Sequence, residues 1–209
     1  IDDYVLMDIA GFRAIVDAVG GVKVNVPFDM QYKDPYQDLV IDIRAGEQVL
    51  DGAQAEGFVR YRSGYALADV GRMDAQKIFM SAFLSQVKEN VSIADLPELL
   101  NTVLSYVTTS VDVDMAIRIG SQALGYSLEN VTMMTAKGGP YKESADFYVL
   151  NHDALLHALQ EHYNVFEKEI PVLDPNGIFT DPGNENPGAY GTTIDEIYRA
   201  VGVTLDEMD

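Results

Sequence analysis

The sequence predicts a single α/β domain, a sandwich with a central mixed β-sheet flanked by helices. Three observations carry this. Short runs that alternate or favour β-branched residues are interleaved with longer segments whose apolar residues recur at helical spacing. The 209 residues fit one large domain, and a chain of that size buries a sizeable core without disulfides or metal staples. The composition, 47% hydrophobic and 22% charged, belongs to a globular chain and not to a disordered one.

Each element has its own signal. Tyr4 to Met7 is short and apolar and reads as a strand. GFRAIVDAVGG follows, with Phe12, Ile15, Val16 and Val19 at helical spacing and Gly20-Gly21 as its stop. VKVNVP, 22–27, alternates valine with polar residues and ends at Pro27, as a strand does. FDMQYKDPYQD reads as a loop turning at Asp34-Pro35, and LVIDI, 39–43, as another strand. The chain then turns at Gly46 and enters a short helix after Asp51, expected to run through Phe58. Gly64 to Gly71 is a break. A helix is expected from Arg72 to Asn90, a second from Ser92 through Val107, and a third capped by Asp112 or Asp114 and running to Tyr126. VTMMTA, 131–136, and DFYVLN, 146–151, read as strands around a Gly-Gly-Pro loop, and a helix follows from His152 to Tyr163. Residues 166–191 are rich in Pro, Gly, Asn and Asp and read as a surface loop before a last helix in TTIDEIYRAVG.

The formal net charge is −19, from 33 acidic and 14 basic residues. Duplex nucleic acid needs a basic face, so this surface excludes it as a partner. Cysteine is absent, which removes disulfides, thiol catalysis and Cys-zinc sites. No G-x-S-x-G elbow is present. His152, His157 and His162 are five apart, spread around a helix, and read as surface residues. The chain opens on Ile1 inside what reads as a folded element, and no apolar run reaches the length of a membrane span. A piece of a longer protein is the expectation, with any anchor upstream.

Against this acidic background, Arg60, Arg62 and Arg72 fall within thirteen positions, three of the seven arginines. If the Arg60–Arg62 step is extended, both side chains leave one face. Arg72 and Gln76 share a helix face, and a helix start at Arg72 adds exposed N–H groups that favour an anion. Asp69 sits where a carboxylate can cap that helix or hold an arginine. Planar, permanently charged guanidinium groups suit a phosphate or diphosphate, and Gly64 and Gly71 let backbone approach a ligand. The competing reading is a surface ion-pair patch with Glu56, Asp69 and Asp74. Asp34, Asp38 and Asp42 either touch a sugar or cation or belong to a solvated loop and strand edge. Phe58, Phe79, Phe83 and Val103, with Ile78, Leu99 and Val107, form stripes that read as core or as the lining of an apolar groove.

The run from Gly11 to Gln76 resembles the LytR-CpsA-Psr family of bacterial cell-wall enzymes. The residues that carry the likeness are GFRAIVDAVGGVKVNVP, then DMQYKDPYQDLVIDIRAGEQVLDGAQAEGFVRYRSGY, then DVGRMDAQ. They follow the family pattern in order: a D-a-l-G-G-V segment, a G-x-x-x-L-[DN]-G-x-x-A turn, R-x-R, and D-x-x-R-x-x-x-Q. MMTAKGGPY and DFYVLN resemble the family's later loop and closing strand. The resemblance covers residues 1–163, leaving 164–209 as a C-terminal extension expected to pack on the same domain.

That resemblance implies an exported phosphotransferase held by an upstream membrane anchor. Such an enzyme binds a polyprenyl-diphosphate-linked glycopolymer, of teichoic acid or capsule type, and attaches it to peptidoglycan. Arg60, Arg62, Arg72 and Gln76 match the family's diphosphate-binding positions, and Asp69 matches the acid between them. Arg72 and Asp69 are thereby the expected catalytic residues, and Phe58, Phe79, Phe83 and Val103 the expected lipid lining. Mg²⁺ is expected too, with ligands in the family's N-terminal third, which this sequence lacks, so no metal ligand is named. Where many relatives carry one more arginine before the glutamine, this chain has Ala75. A lipid-binding module without transfer is the alternative reading. A transcriptional regulator is the third, opposed by the −19 charge and the lack of a basic helix-turn-helix.

Overall fold

In this computed structural model, residues 3–37, 39–65, 68–128, 131–136, 138–142, 146–165 and 168 are described. The last expected helix and nearly all of the 164–209 extension lie outside them. In order the elements are β1 (Val5–Met7), α1 (Ile9–Ala18), β2 (Val22–Val26), β3 (Met30–Asp34), β4 (Leu39–Ile43), β5 (Gly46–Leu50), α2 (Gly52–Arg60), α3 (Ala68–Asn90), α4 (Leu96–Ser105), β6 (Val107–Thr109), α5 (Val113–Gly125), β7 (Gly138–Lys142), β8 (Asp146–Leu150) and α6 (His152–Ala158). A π turn, Leu159–Tyr163, closes the last helix.

The α/β class is as expected. In place of one mixed sheet, the described strands pair in four antiparallel ladders of two: β1 with β6, β2 with β5, β3 with β4, and β7 with β8. Alternation sets the faces. Val22, Val24 and Val26 of β2 and Leu39, Ile41 and Ile43 of β4 turn inward, while Lys23, Val40 and Asp42 turn out. These side chains meet Val16, Phe58, Ala75, Ile78 and Phe79 in one core. Phe58 is fully buried, and burying such a ring contributes about 1.5–3 kcal/mol.

Caps and turns hold the helices in place. Asp8 accepts from the Gly11 N–H at 2.7 Å and starts α1. Gly20 and Gly21 end it with φ of 83° and 85°, where an L side chain is strained. Asp51 and Gln54 form a capping box on α2, and Asp17 of α1 accepts from the Gly52 N–H at 2.7 Å. Helices α1 and α2 therefore touch end to side, and α2 packs in turn on β4 and α3.

Five local expectations change. FDMQYKDPYQD contains β3, whose only buried residue is Met30, so its pattern does not show a strand. Gly46 opens β5 and does not lead straight into the helix. Helix α3 starts at Ala68, four residues before the expected start. The helix read through Val107 stops at Ser105, and β6 follows. Residues 131–136 are irregular, while the Gly-Gly-Pro segment is strand β7.

Candidate functional site

Arg60, Arg62 and Arg72 line one cavity of about 380 Å³, with Tyr32, Asp34, Gln37, Leu39, Tyr61 and Ser63. The volume falls in the range of small-molecule sites, about 300–1,000 Å³. Three elements build it. Arg60 is the last residue of α2, Arg62 follows the cap at Tyr61, and Arg72 lies one turn into α3. The β3–β4 hairpin adds Tyr32, Asp34, Gln37 and Leu39. Helix α2 continues to Arg60, and the chain becomes extended at Tyr61, with φ −62° and ψ 137°, between the two arginines. Arg72 sits inside its helix and not at the start. Asp69 is the second residue of α3, and its side chain lies outside those described.

Arg60 is held on both sides of its fork. Nη1 donates to Glu56 Oε1 at 2.5 Å, and Nη2 donates to Gln37 Oε1 at 2.5 Å. Glu56 is 2% exposed and also pairs with Arg13 Nε of α1. The Glu56 pairing weighed as a surface patch is therefore a buried brace. Gln37 Nε2 in turn donates to Asp34 Oδ2 at 3.0 Å. A continuous chain of hydrogen bonds runs from Asp34 through Gln37, Arg60 and Glu56 to Arg13. Sequence reasoning had one signal for the Glu56 link, a glutamate four residues before an arginine on a helix. It had none for Gln37, which the hairpin brings across 23 positions.

Gln76 points elsewhere. Its Nε2 donates to the Val59 carbonyl at 3.1 Å, and it lines a second cavity of about 490 Å³ with Met73, Lys77, Met80, Met133, Met134, Thr135, Ala136 and Leu150. Met73, Gln76, Lys77 and Met80 are one face of α3. Lys77 Nζ sits 2.6 Å from Asp74 Oδ1 and donates to Thr135 Oγ1 at 3.0 Å. Burial pushes the Asp74 carboxyl above its ordinary range, while Lys77 pulls the other way. Burial also raises the Tyr65 hydroxyl, with smaller contributions from Asp74 and Tyr61.

Phe58 and Phe79 sit in the core, and Phe83 packs half-buried against it. Val103 is half-buried on α4. Gly64 and Gly71 serve packing, not ligand approach: a Cβ at Gly64 would stand 2.4 Å from the Phe28 ring, and one at Gly71 2.3 Å from Tyr65. Asp42 is exposed and accepts from Gln31 at 3.1 Å, while Asp38 lies outside the described residues. His157 and His162 stand beside Glu161 on the surface. The arginine cavity holds one described carboxylate, Asp34, and no cluster of three His, Cys, Asp or Glu occurs among the described residues.

The LytR_cpsA_psr family model matches residues 1–164. TagV of Bacillus subtilis, named a polyisoprenyl-teichoic acid–peptidoglycan teichoic acid transferase, is 27% identical over 169 residues, 78% of this chain and 43% of that protein. LcpB of Corynebacterium glutamicum, a probable cell wall biosynthesis protein, is 46% identical over 85 residues, 41% of this chain and 19% of that one. The chain thus spans less than half the length of these relatives. The crystal structure of B. subtilis TagV matches with a TM-score of 0.62 at 25% identity, covering 78% of this chain and 64% of that one. The protein gbs0355 of Streptococcus agalactiae shares the fold, with a TM-score of 0.72 at 21% identity over 83% of this chain and 60% of that one.

Proposed function

The chain belongs to the LytR-CpsA-Psr family, and from that premise we propose that it is an extracytoplasmic transferase. It holds the diphosphate of a polyprenyl-linked glycopolymer in the arginine cavity and passes the glycopolymer phosphate to peptidoglycan. The observation that carries this is the convergence of Arg60, Arg62 and Arg72 on one cavity in a chain of net charge −19. The names of the relatives support the donor and acceptor classes.

Phosphoryl transfer asks a protein chiefly for positioning and charge neutralisation. Guanidinium forks supply both, through donors that stay charged at any working pH. The Glu56 and Gln37 contacts fix the Arg60 fork before a ligand arrives, so less rotamer entropy is lost on binding. Helix α3 joins the two cavities, with Arg72 on one and Gln76, a turn later, on the other. The apolar tail then runs along α3 into the methionine-lined cavity, whose flexible thioether side chains adapt to a long isoprenoid.

Native mass spectrometry of the full chain from a bacterial host, beside Arg60→Ala/Arg62→Ala, tests the reading. A polyprenyl-diphosphate mass on the wild type that is lost from a folded double variant is the expected outcome. Equal retention by both, or no ligand on either, overturns it. Transfer to peptidoglycan by the loaded wild type then separates an enzyme from a lipid-holding module.

A further inference from the structure

The hairpin side of the arginine cavity carries a carboxylate that anion binding does not explain. Asp34 lines the same cavity as three arginines. A negative charge there works against a bound phosphate. It is nonetheless held firmly: Oδ1 accepts from the Tyr36 N–H at 2.9 Å and Oδ2 from Gln37 Nε2 at 3.0 Å. The Gln37 carbonyl is taken by Arg60, so the amide cannot turn away. Among the described residues Asp34 forms no ion pair. An amide stands between it and Arg60, which fixes the carboxylate in place without an ion pair to that arginine. Tyr32, two residues back on the same face of β3, lines the cavity beside it, and a tyrosine and a carboxylate together suit a polyhydroxylated ring.

We infer that Asp34 is a catalytic residue that accepts the proton of a sugar hydroxyl on the acceptor. The inference rests on the reading of this cavity as the transfer site. The hydroxyl oxygen forms a bond to the phosphorus that carries the glycopolymer. The bond from that phosphorus to the bridging oxygen breaks, and polyprenyl phosphate leaves with the electron pair, its charge spread over the arginines. The hydroxyl proton passes to Asp34 and from there to water. A carboxylate does the same for a substrate hydroxyl in phosphoryl transfer elsewhere.

Asp34→Asn in the full chain tests this in two ways. With a lipid-linked donor and soluble glycan strands of peptidoglycan, kcat falls about 10²–10⁴-fold while the donor KM stays within twofold. By calorimetry, inorganic diphosphate binds severalfold tighter, because a negative charge has left the cavity. Transfer within threefold of wild type, or diphosphate affinity that is unchanged or weaker, overturns the assignment. Failure of the underlying reading looks different: Arg60→Ala/Arg62→Ala would then keep its diphosphate affinity.

Discussion

Asp74 and Lys77 are an ion pair one helical turn apart, with 1% and 9% of their surfaces exposed. Charges so far from water are held by each other, and removing one strands the other. Lys77→Met fits a cavity already lined by Met73, Met80, Met133 and Met134, yet it leaves the Asp74 carboxylate uncompensated. We expect a loss of about 3–5 kcal/mol, most of it recovered in Asp74→Asn/Lys77→Met, measured by urea unfolding of the four chains. The pH dependence has a definite sign. Asp74 titrates above its ordinary 3.8 in the folded chain, so above 3.8 the folded state binds more protons than the unfolded one. The contribution is complete below 3.8 and declines as pH rises through the folded value. Asp74→Asn removes that decline, so its stability relative to wild type grows as pH is raised from 3.8; a flat difference would reject the burial account. At this scale the arginines were legible because charge of that sign is scarce here. Glu56 was legible as an arginine partner but not as a buried one, and Gln37 was not legible at all, since burial and the hairpin contact depend on which elements meet.

Helix α2 lies so close to α1 that Gly52 has no room for a side chain: a Cβ there would stand 2.4 Å from the Arg13 carbonyl oxygen. Backbone cannot swing aside as a flexible side chain can, so Gly52→Ala pushes the two helices apart at a cost of about 1–3 kcal/mol or more. The damage reaches the site, because Arg13 on α1 steadies Glu56, which steadies Arg60. The variant is therefore expected to lower both the thermal midpoint and the affinity for inorganic diphosphate, read by scanning and titration calorimetry. A lowered midpoint with affinity untouched would separate the helix contact from the Arg60 brace. The helices could be read in advance because each carries its own signal: an apolar period, Asp51 before α2, the glycine pair after α1. Short strands carry less. β3 buries one residue, and β6 is three residues long and pairs with β1 about a hundred positions away, so their identity is set by partners and not by local pattern. The sequence places the end of α2 at Phe58, two residues short of Arg60, for the same reason, as the packing of α2 on β4 and α3 decides where that helix stops.

Over the whole molecule, 33 acidic residues face 14 basic ones, and the cavity gathers three of the latter. Two consequences of opposite sign follow from one cause. Like charges spread over the surface repel and destabilise the compact state, and salt screens them. The proposed binding of an anion in the arginine cavity draws partly on charge, and salt screens that too. Exposed pairs such as Lys23–Glu47 and Arg44–Asp29 work the other way on stability, since salt weakens them, but exposed pairs contribute little and the imbalance of −19 is large. Raising NaCl from about 0.05 to 0.5 M, over which the screening length shrinks from roughly 14 to 4 Å, should therefore raise the thermal midpoint while weakening inorganic diphosphate binding. A midpoint that falls instead would mean that surface ion pairs outweigh net repulsion. Diphosphate affinity that ignores salt would mean that hydrogen-bond geometry, and not the field of the clustered arginines, does most of the holding.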